Sequence, residues 1–154
     1  MPVSIPIEII KEIAEYLDTG MKCFYHIHTG ELEYYPDELR GHAVYDEEIW
    51  QEIIDKVEDN DQEYIAFQAI ESHESFSIME EFVAGITETR IRDRFEDAIA
   101  FRKPFQNFKQ LLNVYPELRQ QWFDHKNQKY IECVQEQLNE YNSLQKRDNE
   151  TDTL

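Results

Sequence analysis

The sequence predicts an α+β fold: a small antiparallel sheet of about three strands with helices, followed by a C-terminal helical region. Three observations carry that expectation. Short β-prone runs flank a Thr-Gly-Glu bend near the start of the chain. Apolar residues at i, i+3, i+4, i+7 mark helices on either side of them, and beyond residue 72 the helical spacing continues alone. A length of 154 residues with 41% apolar and 13% aromatic content is enough for one buried core and rules out a disordered chain.

The elements follow in order. Ile10, Ile13, Ala14 and Leu17 trace one helical face, with Pro6 at its start and Thr19-Gly20 as its stop. Lys22 to His28 and Leu32 to Tyr35 read as strands joined by Thr29-Gly30-Glu31, a hairpin with glycine at the bend. Trp50, Ile53, Ile54 and Val57 restore helical spacing within Asp46 to Glu58. The polar run 59–62 is a turn, and Tyr64 to Ile70 is the third strand. Met79, Phe82, Val83 and Ile86 make the next helix, with Ser72 as its cap. Ile91, Phe95, Ala98 and Ile99 make another. Pro104 opens a helix carrying Phe105, Phe108, Leu111 and Leu112, which Tyr115-Pro116 closes. Leu118, Trp122, Tyr130, Val134, Leu138 and Tyr141 carry a last long helix. One domain is expected over residues 1–142, with an α/β part at about 1–70, a helical part at about 72–142, and a polar, disordered tail over 143–154.

Charge divides the chain unequally. The net charge is −18, and residues 1–89 hold four Lys/Arg (Lys11, Lys22, Arg40, Lys56) against 22 Asp/Glu. The remaining residues hold 11 basic and 11 acidic groups, so the whole excess lies in the α/β part. Such a surface does not coat polyanions, but it suits either simple solubility or docking of a basic partner. No apolar run approaches the ~20 residues of a membrane span. The opening Met1-Pro2-Val3-Ser4-Ile5-Pro6 has no basic or apolar signal region, and two cysteines, Cys23 and Cys133, are too few for a disulfide framework. The expectation is a cytoplasmic protein with reduced thiols.

Candidate sites are few. Arg90, Arg92 and Arg94 look like a nucleic-acid stripe, but Asp93, Glu96 and Asp97 stand three or four residues further on, at pairing distance on a helix. Arg102-Lys103-Pro104 places two cations before a helix start, where the dipole disfavours them and where Ser, Thr or Asp is usual. An anion site would use such a pair, with Lys109 and Arg119 as contributors if the fold gathers them. The competing reading pairs them with carboxylates of the same chain. His26-x-His28 on a strand would share one face and begin a metal site, with His42, His73 or one of the many carboxylates to complete it. Nothing in the sequence places a third ligand, so no metal or other cofactor is expected. Asp18-Thr19-Gly20 is similar to the triplet of dimeric aspartic proteases, yet this helix-rich chain with four glycines uses it to close a helix. There is no phosphate loop, nucleophile elbow or zinc-helix motif, and no catalytic residue is assigned. Phe82, Phe95, Phe105, Phe108 and Trp122 fall on apolar faces, where core packing is the expectation over base stacking.

A resemblance rests on Met79-x-x-Phe82, Phe95-x-x-Ala98-Ile99, Lys103-Pro104-Phe105 with Phe108-Lys109, and Tyr115-Pro116-Glu117-Leu118 followed by Trp122-Phe123. Together with Tyr25 and the Thr29-Gly30-Glu31 turn, these resemble a family of uncharacterised bacterial proteins that carries only a provisional label. The resemblance implies a bacterial cytoplasmic protein of one domain and brings no activity, cofactor or partner. Gln106-Asn107 stand where members often have a basic residue.

The function expected from these readings is protein interaction or regulation without catalysis. The alternative is a binder of nucleic acid or a phosphorylated ligand through Arg102, Lys103 and Lys109. An enzyme of unrecognised type comes third, and no membrane partner is expected.

Overall fold

A computed structural model describes residues 2–37 and 47–152. Its order is α1 (Ile7–Asp18), β1 (Met21–His26), β2 (Leu32–Pro36), α2 (Glu47–Asp59), a 3-10 turn (Asp61–Glu63), β3 (Tyr64–Phe67), α3 (Ser72–Ala84), α4 (Thr89–Ala100), α5 (Pro104–Leu112) and α6 (Pro116–Asp152). The fold is α+β. The chain divides into two compact units, one of Met1–Ala69 with Tyr130–Leu154, the other Ile70–Lys129.

The first unit is built on a three-stranded antiparallel sheet in the order β2-β1-β3. Side chains alternate across a strand, so Cys23 and Tyr25 of β1 join Ile65 and Phe67 of β3 on one face. Against that face pack Ile10, Ile13, Ala14 and Leu17 of α1, and Ile131, Val134 and Leu138 of α6. The opposite face carries Phe24 and Tyr64, covered by Val57 and Ile53 of α2. Gly20 and Gly30 have φ of 89° and 76°, a region where a Cβ is strained, and they turn the chain into and out of the hairpin.

Strand β1 stops at His26 rather than His28. The His26 carbonyl accepts from the Gly30 N–H, while its ring Nδ1 accepts from the N–H groups of His28 and Thr29, which pulls both residues into the turn. Strand β3 stops at Phe67 because the Gln137 side chain takes over at Gln68, donating to its carbonyl and accepting from its N–H, each at 2.9 Å. Asn142 holds Val3 in the same two-way manner, again at 2.9 Å. Asn142, the last residue of the expected domain, is therefore an anchoring residue, and α6 continues through the expected tail to Asp152. No Gly or Pro follows Pro116 to end that helix.

The second unit is a helical cluster. Met79, Val83 and Ile86 meet Phe95, Phe108, Leu112 and Trp122 in one core. Its aromatic rings pack edge to face, with Phe108 4.8 Å from Trp122 and 5.6 Å from Phe95 between centroids. Phe82 packs on the same group, so four of the five aromatics expected in the core are there. The exception is Phe105, 39% exposed beside Phe76. Ser72 is the first residue of α3, and Glu71 precedes it in the capping position.

The first unit contains two groups that make it sensitive to alkali. Burial pushes the Cys23 thiol up from 9.0 to about 12, with the Glu12 carboxylate adding to it against a backbone hydrogen bond that opposes it. Burial likewise raises Tyr16 from 10.0 to about 12, helped by its hydrogen bond and stacking with Tyr34. Both folded groups hold their proton more tightly than the unfolded chain does. Stability is therefore complete below pH 9 and falls as pH rises towards 12. Urea midpoints measured across that range are expected to decline, and less steeply in Cys23→Ala at the lower end. A flat profile would contradict the burial of these groups.

Candidate functional site

The candidate site lies wholly in the second unit, at the junction of α4 and α5. Helix α4 ends at Ala100 and α5 begins at Pro104, so three residues reverse the chain. Asn107 fixes that turn. Its side-chain amide donates to the carbonyls of Ala98 at 3.0 Å and Arg102 at 2.9 Å, and its backbone N–H donates to the Lys103 carbonyl. Lys103 takes the left-handed conformation, φ 58° and ψ 56°, and is the single described non-glycine residue with positive φ. Its side chain offers no acceptor to the helix start. Pro104 has no N–H, so the groups that open towards solvent are those of Phe105 and Gln106.

The four cations singled out from sequence do not occupy one spot. Arg102 and Lys103 sit side by side at the turn, both exposed, and among the described residues neither pairs with a carboxylate. Lys109 is exposed in the last turn of α5, about 9 Å further along the helix. Arg119 of α6 lies over the Phe123 ring at 4.8 Å, and Lys126 approaches the same ring at 5.5 Å. Of the three arginine pairs expected on α4, one forms among the described residues: Arg92 reaches Glu96 at 3.8 Å and also donates to the Ile86 carbonyl. Arg94 turns instead to the Tyr115 hydroxyl, donating to it while its guanidinium lies 5.7 Å from that ring's centroid.

Between α4 and α5 runs an open groove of about 510 Å³. Arg94, Asp97, Ala98 and Phe101 line one wall at i, i+3, i+4, i+7. Asn107, Gln110, Leu111 and Val114 line the other with the same spacing. Each wall is thus one stripe of a helix, about two turns long. Phe101 is 70% exposed and Val114 59% exposed, the two most exposed large apolar side chains among the described residues. Sequence reasoning missed both. The signal was present, because neither belongs to the buried stripes Ile91-Phe95-Ala98-Ile99 and Phe108-Leu111-Leu112.

The histidines of the hairpin form a different arrangement from the one expected. His28 lies in the turn, off the strand, with its ring packed edge-on against that of His26 at 5.7 Å between centroids. The Nδ1 lone pair of His26 is engaged by two backbone N–H groups, and Nε2–H donates to Glu63 Oε2 at 3.2 Å. This ring has no lone pair left for a cation. His73 lies on α3 between Glu71 and Glu74, and His42 falls outside the described residues. Among the described residues no three potential metal ligands gather. Asp18-Thr19-Gly20 closes α1, with the Thr19 hydroxyl donating to the Tyr16 carbonyl. No described helix is long and apolar enough to cross a membrane.

Two substitutions test the junction. Lys103→Gly removes the strain of a left-handed residue, and stability is expected to rise by roughly 0.5–1 kcal/mol in urea unfolding, since that strain of about 1–2 kcal/mol exceeds the added chain entropy. Asn107→Ala frees two carbonyls of the turn and is expected to lower stability by about 1–2 kcal/mol. A loss of stability in Lys103→Gly would contradict the turn geometry.

Comparison with known proteins adds a family and no activity. A family model described as Uncharacterised protein family (UPF0158) matches residues 16–152. A curated UPF0158 protein of Pseudomonas aeruginosa is 28% identical over 89 residues, a stretch that covers 58% of this chain and 58% of that protein. The match therefore spans less than two thirds of the relative's length. No solved structure matches the chain. With the matched residues running from the end of α1 through α6, the chain belongs to the uncharacterised protein family UPF0158.

Proposed function

We propose that this protein is a non-enzymatic interaction or regulatory module of the bacterial cytoplasm whose partner is another protein, with residues 1–142 acting as one functional domain. The observation that supports the reading is the apolar exposure on the second unit. Phe105 of α5 and Phe123 of α6 stand exposed, as do Phe101 and Val114 in the connections that follow α4 and α5. Fully covering a side chain of this size is worth about 1.5–3 kcal/mol, so Phe101 and Val114 leave most of that stabilisation to a partner. Single exposed apolar residues are ordinary on a surface. Two at 70% and 59% on the walls of one groove are not.

A second reading is favoured by Arg102 and Lys103. Both are exposed beside the open N–H groups of Phe105 and Gln106, an arrangement that suits a phosphate of nucleic acid or of a small ligand. A salt-titrated binding assay separates the two readings. Affinity for polyanion that falls with salt and collapses in Arg102→Glu/Lys103→Glu supports the second, and affinity indifferent to that change ends it.

For the protein-partner reading, affinity purification of the tagged chain at low and moderate salt is expected to recover one protein in stoichiometric amount. The same preparation of Phe101→Asp/Val114→Asp is expected to lose at least nine tenths of it. Recovery of no stoichiometric partner at either salt would overturn the reading.

A further inference from the structure

The groove between α4 and α5 has a chemistry that selects its occupant. Its floor is apolar, from Ala98 and Leu111, and its walls end in Phe101 at the turn and Val114 at the far end. The walls run over residues 94–101 and 107–114, a length against which about two turns of a third helix fit. A strand would need free backbone partners, and the backbone of α4 and α5 is engaged within the helices. The occupant that fits is an amphipathic helix presenting apolar residues at i, i+3 or i+4, and i+7.

Charge decides the rest. Between Asp97 and Glu117 the sequence carries Arg102, Lys103 and Lys109 and no carboxylate. In a chain of net charge −18 this is a cationic island, and its cations are exposed. Arg102 and Lys103 stand at the turn, beside Phe101, while Lys109 falls on the side of α5 away from the groove-lining stripe Asn107-Gln110-Leu111-Val114. The groove's own charged residues are Arg94, which is held by Tyr115, and Asp97. A basic helix approaching this surface meets the two uncompensated cations at the turn and, from further away, the field of the strongly acidic remainder of the chain in its favour. An acidic helix meets the reverse. At contact range the unscreened neighbours outweigh distant charge, because ~8–10 Å of saline screens the latter. The local cations therefore set the preference.

We propose that the α4–α5 groove is the docking site for an acidic amphipathic helix of a partner protein, its apolar stripe covering Phe101, Leu111 and Val114 and its carboxylates facing Arg102 and Lys103 at the turn. This rests on the protein-interaction reading above and gives that reading a location and a partner chemistry.

The test is selection from a library of random helical peptides displayed on phage, run on the full chain and on Phe101→Asp/Val114→Asp and Arg102→Glu/Lys103→Glu. All four positions are exposed, and circular dichroism of each variant confirms that it folds. The expected result is enrichment of peptides with apolar residues at helical spacing and an excess of Asp and Glu. Their affinity, measured by fluorescence anisotropy, is expected to fall at least tenfold in each double variant and to weaken with salt. Enrichment of basic peptides, enrichment of peptides that bind all three proteins equally, or no enrichment would each overturn the proposal. Self-association in sedimentation that Phe101→Asp/Val114→Asp abolishes would overturn it too, by making a second copy the occupant. Failure here is distinguishable from failure of the broader reading: a stoichiometric partner retained by Phe101→Asp/Val114→Asp in affinity purification removes the groove and leaves a protein-interaction module standing elsewhere.

Discussion

The two hydrogen bonds donated by the Asn107 side chain are the constraint on which the site depends. They tie the Ala98 carbonyl at the end of α4 to the Arg102 carbonyl in the turn, from the first turn of α5. The chain reverses in three residues only because Lys103 accepts a left-handed conformation, which a glycine would adopt at lower cost. Once the turn is fixed, Phe101 has passed the last buried position of α4 and cannot follow Phe95 inward. Arg102 and Lys103 are carried outward with it. Exposure of an aromatic and two cations at one point is thus a consequence of turn geometry, while the rest of α5 is held by Phe108 and Leu112 in the core.

The other unit shows what fully satisfied polar chemistry looks like in the same chain. Gln137 and Asn142 each complete two backbone groups, and His26 completes the hairpin turn while its far nitrogen meets Glu63. Lys56 and Glu33 join α2 to β2 at 2.7 Å. These side chains have structural work that accounts for their position. Arg102 and Lys103 have none among the described residues, which is why the functional reading settles on the helical unit and not on the heavily acidic sheet.

The sequence made the architecture readable because apolar spacing is a local property. The face Ile10-Ile13-Ala14-Leu17 appears in the structure as read, Met79, Phe82 and Val83 lie on α3 while Ile86 joins their core from beyond its end at Ala84, and Pro104 and Pro116 mark the starts of α5 and α6. What local pattern could not supply was partnership over long separations. The ends of β1 and β3 depend on His26 bonds inside the turn and on Gln137, 69 residues from Gln68. The anchoring role of Asn142 was not legible because its partner, Val3, lies 139 residues away. The site was half legible. Arg102-Lys103-Pro104 stood out as an unusual helix start, yet Lys109 and Arg119 could be attached to it only by guess, and Arg119 lies over Phe123 instead. Phe101 and Val114 were passed over because residues outside a buried stripe attract no notice until their exposure is seen.

The central claim is that the α4–α5 groove touches a protein in the cell. The most direct measurement places a photo-crosslinking amino acid at position 101 in cells that make the protein natively, with position 88 at the start of α4 as the comparison. The account predicts a discrete crosslinked species from position 101 that position 88 does not give, with the attached peptide mapping to an acidic amphipathic helix. Equal labelling from both positions, or none from position 101 while the protein is folded and abundant, would contradict it.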